Sequence, residues 1–335
     1  VIKPKKSLHF FNFAFGCGAL RLPGFLLLFG FSLLLCKSAF PQVTASQPAR
    51  LAFESLLLDG SVAGDRIIVV GERGHILLSN DDGLQWTQVH SPVSVLLTAI
   101  HMHGANLGFA VGHDGVILRT ENGGLSWEIV HYAPEEERPL LDVWFADDKR
   151  GFAVGAFGYF LYTEDQGDSW HHETIGEADY HLNVIASSAD SKVYIGAETG
   201  IAYRSNNAGT DWQELTPPYS GSWFGALALN NDTVFLCGLR GSLYRSRDAG
   251  TTWQQINTGT TATMTGMTIS PNGDIFVSGL DGVLLTSRDR GESFTLTQFA
   301  DRMGISRVMP LVDGGVVLLG EFGVRRLEKF ELQKY

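Results

Sequence analysis

Ser79–Trp86 (SNDDGLQW), Thr120–Trp127 (TENGGLSW), Thr163–Trp170 (TEDQGDSW), Ser205–Trp212 (SNNAGTDW), Ser246–Trp253 (SRDAGTTW) and Ser287–Phe294 (SRDRGESF) are six copies of one box. The pattern is Ser or Thr, any residue, Asp or Asn, any residue, Gly, two residues, then Trp or Phe. The copies start 41, 43, 42, 41 and 41 residues apart. Five residues before each box stands another Gly: Gly74, Gly115, Gly158, Gly200, Gly241 and Gly282. Gly323 is a seventh, followed by a decayed box at Glu328–Glu331. A fixed period of this length marks a repeat architecture, here of seven units.

Each unit reads as four short strands. In the second they are 97–103 (LTAIHMH), 108–113 (GFAVGH), 115–120 (GVILRT) and 126–131 (SWEIVH). All are β-branched or aromatic runs bounded by Gly, Asn or Asp. Seven four-stranded units predict an all-β, seven-bladed β-propeller over residues 46–335. The chain stops soon after the third strand of unit seven. Ala49–Glu54 (ARLAFE) is spare and is expected to supply that blade's outer strand, removing open edges.

The box reads as a turn between strands three and four. The hydroxyl and the side chains of Asp81, Asn122, Asp165, Asn207, Asp248 and Asp289 can bond nearby backbone groups. Trp86, Trp127, Trp170, Trp212, Trp253 and Phe294 would cover the turn and bury area between blades. Calcium binding or catalysis by the acids is the competing reading. An active site needs one unique constellation, and six equivalent ones favour structure.

The chain carries 25 Lys and Arg against 36 Asp and Glu, a formal charge of −11. Residues 1–45 hold five of the basic residues and no acid, which leaves the rest at −16. Such a body is ill suited to nucleic acid. Lys3, Lys5 and Lys6, then the apolar run from Phe25 to Leu35, predict a signal peptide over 1–45, cut after Ala45 or kept as an anchor. The mature protein is thereby expected to be exported to a periplasm or lumen. Only Cys237 then remains, so no disulfide and no disulfide-linked partner is expected.

The box resembles the Asp-box, or BNR, repeat of sialidases, xyloglucanases and sortilins. The longer stretch 140–170 (LLDVWFADDKRGFAVGAFGYFLYTEDQGDSW) resembles the repeat of the photosystem II stability/assembly factor family. The resemblance, as of a bacterial homologue, covers residues of about 50–330. It implies a non-enzymatic seven-bladed propeller, without cofactor, on the lumenal or periplasmic side of a membrane. There it would bind a membrane-protein complex: newly made photosystem II reaction-centre protein in a photosynthetic host, another envelope complex elsewhere. An arginine patch serves binding in photosynthetic members, and no dense Arg cluster aligns with it here. The alternative is a carbohydrate-active hydrolase of the Asp-box superfamily. A glycosidase needs two opposed carboxylates. Among Asp142, Asp147, Glu198 and Asp281, spacing singles out no pair. His101 and His103 alternate onto one strand face, but no recognised metal-ligand set appears.

A recognition surface is expected at the turns between strands two and three, which differ between units as the boxes do not. Arg73, His113, Phe157, Arg240 and Phe322 are candidate partner-binding residues there. Tyr219 and Trp223, in the loop from unit four to unit five, complete the set.

Overall fold

The computed structural model describes residues 43–177, 179–188 and 191–332. The expected signal peptide falls outside them except for its last three residues, as do Cys17 and Cys36. No helix among the described residues is long and apolar enough to cross a membrane.

Seven antiparallel sheets form a seven-bladed propeller; six have four strands each, in sequence order across the blade. Blade one comprises Leu57–Ala63, Arg66–Gly71, Ile76–Ser79 and Thr87–Val89. The second strands are apolar along nearly their whole length because neighbouring blades cover both of their faces. Leu107–Gly112, Val193–Ala197 and Val234–Gly238 are buried at every residue. The fourth strands form the rim, so His171–Glu173 and Gln254–Gln255 are exposed and polar.

The first strand of every blade lines the central channel. Each is interrupted at its start by a bulge, at Leu58, Thr98, Leu141, Asn183, Phe224, Thr265 and Ser306. A bulge re-aims side chains locally. Here it lets polar groups reach the next blade. Asp59 Oδ2 accepts Ile100 N at 3.0 Å, Thr98 Oγ1 donates to Leu140 O at 2.7 Å, and Asp142 Oδ2 accepts Ile185 N at 2.7 Å. Asn183 Nδ2 donates to Trp223 O at 3.0 Å, and Thr265 Oγ1 to Ile305 O at 2.5 Å. Between blades five and six, Gly225 and Gly266 instead let the backbones touch: a Cβ on Gly225 would lie 2.9 Å from Gly266 Cα.

A second set of ties runs nearer the rim. Arg119 donates to Gln166 O at 3.1 Å, Arg204 to Ala249 O at 2.6 Å and Arg245 to Gly291 O at 2.8 Å. Each reaches from one blade's third strand into the next blade's box. Arg326 does the same across the ring closure, to Asp82 O at 3.0 Å.

The closure differs from the sequence expectation. Blade seven has three strands, Ile305–Pro310, Val316–Gly320 and Gly323–Leu327, and residues 49–54 add no fourth. The polar groups just before that segment and at its first residue are committed to blade one. Gln88 bonds Ala49 N at 2.8 Å and Gln47 O at 3.0 Å, and Ser46 N donates to Ser91 O at 3.1 Å. Ala52–Glu54 then forms a 3-10 turn that takes the place of the blade-seven exit loop. A Cβ on Gly323 would lie 2.0 Å from Phe53 O, just as one on Gly74 would lie 2.0 Å from Val93 O in blade one. The ring is sealed by side chains: Met309, Val317 and Leu319 pack with Ala52, Leu57, Ile67 and Val69, and Arg307 pairs with Asp59 at 3.3 Å.

Candidate functional site

Three surfaces compete for a function: the box turns at one end, the turns between strands two and three at the other, and the channel between them.

The boxes are closed on themselves. In blade one Ser79 Oγ donates to Asp81 Oδ1 at 2.8 Å and accepts Gly83 N at 2.9 Å, while Asp81 Oδ1 also accepts Gln85 N at 2.9 Å. Thr163 with Asp165, Ser246 with Asp248 and Ser287 with Asp289 repeat this core of bonds. Asn122 and Asn207 substitute an amide oxygen for the carboxylate. Hydrogen bonds to the ionised form hold the carboxyls low. Those from Ser169 and Thr252, first among several, bring Asp165 and Asp248 to about 2. The box Gly leans on the preceding blade, where a Cβ on Gly209 would lie 2.5 Å from Phe152 and one on Gly291 2.4 Å from Phe235. The indoles of Trp86, Trp127 and Trp253 donate back to the box Gly carbonyl at 3.1 Å. Trp170 and Phe294 pack edge-on against Phe109 and Phe235 of the blade before. Trp212 does so against Phe152.

The opposite turns are built by backbone. Arg73, Asp114, Phe157, Thr199, Arg240 and Asp281 all have φ between 54° and 63°, and the Gly after each has φ between 61° and 83°. The residue following that Gly donates back to the residue before the tip, as His75 N does to Glu72 O at 3.0 Å and Ile201 N to Glu198 O at 3.2 Å. Two consecutive left-handed residues define the type I′ hairpin turn, whose first position favours Asn, Asp or Gly. Phe, Thr and Arg are costly there, by roughly 1–2 kcal/mol each. At the second position a Cβ on Gly200 would lie 1.7 Å from Tyr219 O and one on Gly241 2.0 Å from Thr260 O, whereas one on Gly115 would have room, 3.5 Å from Ala133.

Arg73 and Arg240 stand exposed at these tips, and His113 is exposed just before one. Phe157 is 53% exposed, with its ring edge-on to His181 at 4.7 Å. The other three candidates are placed differently. Trp223 is wholly buried at the start of an inner strand and packs on Tyr219 at 4.5 Å, so it is a core residue rather than a contact. Tyr219 is half-buried and its hydroxyl donates to Leu239 O at 2.9 Å. Phe322 is half-buried under the Arg325 guanidinium, 4.2 Å from its ring. All three fasten loops, and aromatic residue type alone could not separate that duty from exposure.

The channel holds a cavity of about 620 Å³. Its walls are mostly apolar, and its ionisable groups are Asp59, His101, Asp142, Arg307 and, near one mouth, Glu321. Burial pushes Asp142 up to about 7, with help from the Asp59 charge. Burial also pulls His101 down to about 4, which keeps it neutral. Asp59 is raised by burial too, against the opposing pull of Arg307. Asp142 is thus the one suspected acid in the channel. Asp147 bonds Arg150, Glu198 Oε1 accepts His181 N, and Asp281 pairs with Arg302. His103 pairs with Asp148 at 3.2 Å, and among the described residues no group of three or more His, Cys, Asp or Glu could hold a metal ion. Cys237 is buried and its thiol pushed up, so it is an inert core residue.

These features define a seven-bladed propeller of the Asp-box type. Within it, residues 125–274 match the family model described as "Photosynthesis system II assembly factor YCF48", which bears out the resemblance read from the repeat. No curated protein matches the chain. Among solved structures, YCF48 bound to D1 peptide aligns with a TM-score of 0.66 at 18% identity, covering 86% of this chain and 97% of that one. YCF48 from Cyanidioschyzon merolae gives 0.65 at 15%, with 84% and 98% covered. Virginiamycin B lyase from Staphylococcus aureus gives 0.70 at 10%, with 81% and 94% covered. At such identities the structural likeness carries the fold alone, and an enzyme shares it.

Proposed function

We propose that the protein is an exported, non-enzymatic scaffold that binds a segment of a membrane-protein complex during its assembly, using the face of the type I′ turns. The observation that carries this reading is the row of left-handed tip residues. Phe157, Thr199, Arg73 and Arg240 occupy a backbone position where Asn or Gly would cost less. Strain retained at a surface position points to a use for the side chain. Support comes from the matched family, one of whose solved structures has a D1 peptide bound. In a photosynthetic host the client would be reaction-centre protein; elsewhere it would be another envelope complex.

The hydrolase reading finds less support. Asp59 is held by Ile100 N and Arg307, and each Asp142 oxygen accepts one N–H, from Val143 or from Ile185. All of these partners belong to the blade framework.

The test is capture of the tagged protein from detergent-solubilised membranes of its host, with the companions identified by mass spectrometry. Co-purification of one membrane-protein complex is expected. Recovery of the protein alone, together with hydrolysis of a glycan, would overturn the proposal.

A further inference from the structure

The central cavity is large enough for a small ligand, and its chemistry is one-sided. Leu141, Val184, Phe224 and Leu227 give apolar walls. Asp59 has a counter-charge in Arg307 at 3.3 Å, and the pull of the same Arg307 on Asp142 is weaker than the burial and the Asp59 charge that oppose it. The groups around it are Asp59 from blade one, neutral His101 from blade two, and Arg307 from blade seven, already drawn to Asp59. Glu321 at the mouth adds a further carboxylate. Each Asp142 oxygen accepts one backbone N–H, Val143 N at 2.8 Å and Ile185 N at 2.7 Å. A carboxylate has about four acceptor sites, so about two remain. A buried carboxylate in this setting must either take up a proton or find a cation.

We propose that the channel binds the ammonium group of a primary alkylamine against Asp142, with the alkyl stem along the apolar walls. The amine is either free or the side chain of a lysine. The apolar walls select a stem of several methylenes over an inorganic cation, and the weakly compensated charge selects an ammonium over a neutral head. The proton on Asp142 competes with the amine, because burial sets this carboxyl near 7. Binding therefore strengthens with rising pH and releases a proton. This site is independent of the turn face, which lies outside the channel.

The experiment is isothermal titration of the purified protein with n-butylamine and with Nα-acetyl-lysine amide, using n-butanol as the uncharged control. Saturable one-to-one binding of an amine is expected at pH 8.5. At pH 5.5 it should weaken on the order of thirty-fold, following the ionised fraction of a carboxyl titrating near 7. Asp142→Asn should abolish it, while Leu84→Glu on the exposed box face leaves it unchanged. If Asp142→Asn does not fold, the pH dependence and the butanol control on the wild-type protein still decide. Binding of butylamine alone assigns the site to a free amine; binding of the lysine derivative as well assigns it to an ammonium carried on a polypeptide. No binding of either amine, equal binding of butanol, or binding that ignores pH would each overturn the proposal.

Discussion

The two ends of the propeller repeat in different ways. The box turns repeat their side chains: Ser or Thr, Asp or Asn, Gly and an aromatic residue recur because those atoms make the turn. The type I′ turns repeat only their backbone, since one carbonyl–amide bond and a Gly suffice. The tip side chain carries no part of the turn and is free to differ from blade to blade. Where side chains build a turn the sequence is fixed, and where backbone builds it the surface can be adapted to a partner.

The sharpest break in this comparison is Gly200→Ala. Its Cβ would meet the Tyr219 carbonyl at 1.7 Å, in a residue with φ of 83°. A loss of about 4 kcal/mol or more in denaturant-measured stability is expected. Gly291→Ala on the box side meets the buried Phe235 ring instead, at 2.4 Å, and should cost about 3 kcal/mol because a packed side chain yields more than backbone does. Ser246→Ala comes next. It removes a buried hydroxyl that donates to Asp248 and accepts Gly250 N, leaving that amide unpaired, for about 2 kcal/mol.

The pH profile sharpens the contrast between boxes and channel. Asp165 and Asp248 sit near 2 when folded, below their ordinary value of 3.8. Their contribution is fully present above that value and is lost as pH falls through about 2. Asp142 has the opposite sign. Its folded pKa of about 7 lies above 3.8, so its contribution is greatest below pH 4 and is lost as pH rises to about 7. His101, pulled down from 6.5 to about 4, runs the other way over the same window and offsets much of this decline in the wild-type protein, so Asp142→Asn should leave a melting temperature that rises from pH 4 to 7. The smallest effect is Thr199→Gly, one residue before Gly200. Relief of a left-handed β-branched residue, offset by the greater chain entropy of Gly, should change stability by less than about 1 kcal/mol, in the stabilising direction.

The blades were legible in the sequence because both markers, box and preceding Gly, are local and recur every 41 to 43 residues. The strand positions of blade two fall within a residue or two of those read from the pattern. The ring closure was not legible. Residues 49–54 had a strand-like composition, but bonds from Gln88 and Ser91 to residues 46–49 turn the chain aside. The arginine ties carried a signal that was missed: Arg119, Arg204 and Arg245 each stand immediately before a box, while Arg326, one residue earlier than that spacing, reaches the matching place only by strand register, opposite Val317 as Arg119 is opposite Phe109. Those arginines are therefore spent on joining blades, which leaves Arg73 and Arg240 as the turn-tip cations. In the channel, Asp59 and Asp142 occupy the same position of their repeats. Their convergence depends on closing the ring, which spacing along the chain does not encode.

Partner binding is proposed for the type I′ face. Its most direct test compares three proteins in the same membrane capture: wild type, the triple variant Arg73→Glu, Phe157→Ala and Arg240→Glu, and the box-face variant Leu84→Glu with Leu125→Glu. All five positions are exposed, so the variants should fold alike, with melting temperatures close to wild type. The triple variant is expected to lose the captured complex and the box-face variant to retain it. Retention by the triple variant with loss by the box-face variant would put the partner on the box face instead.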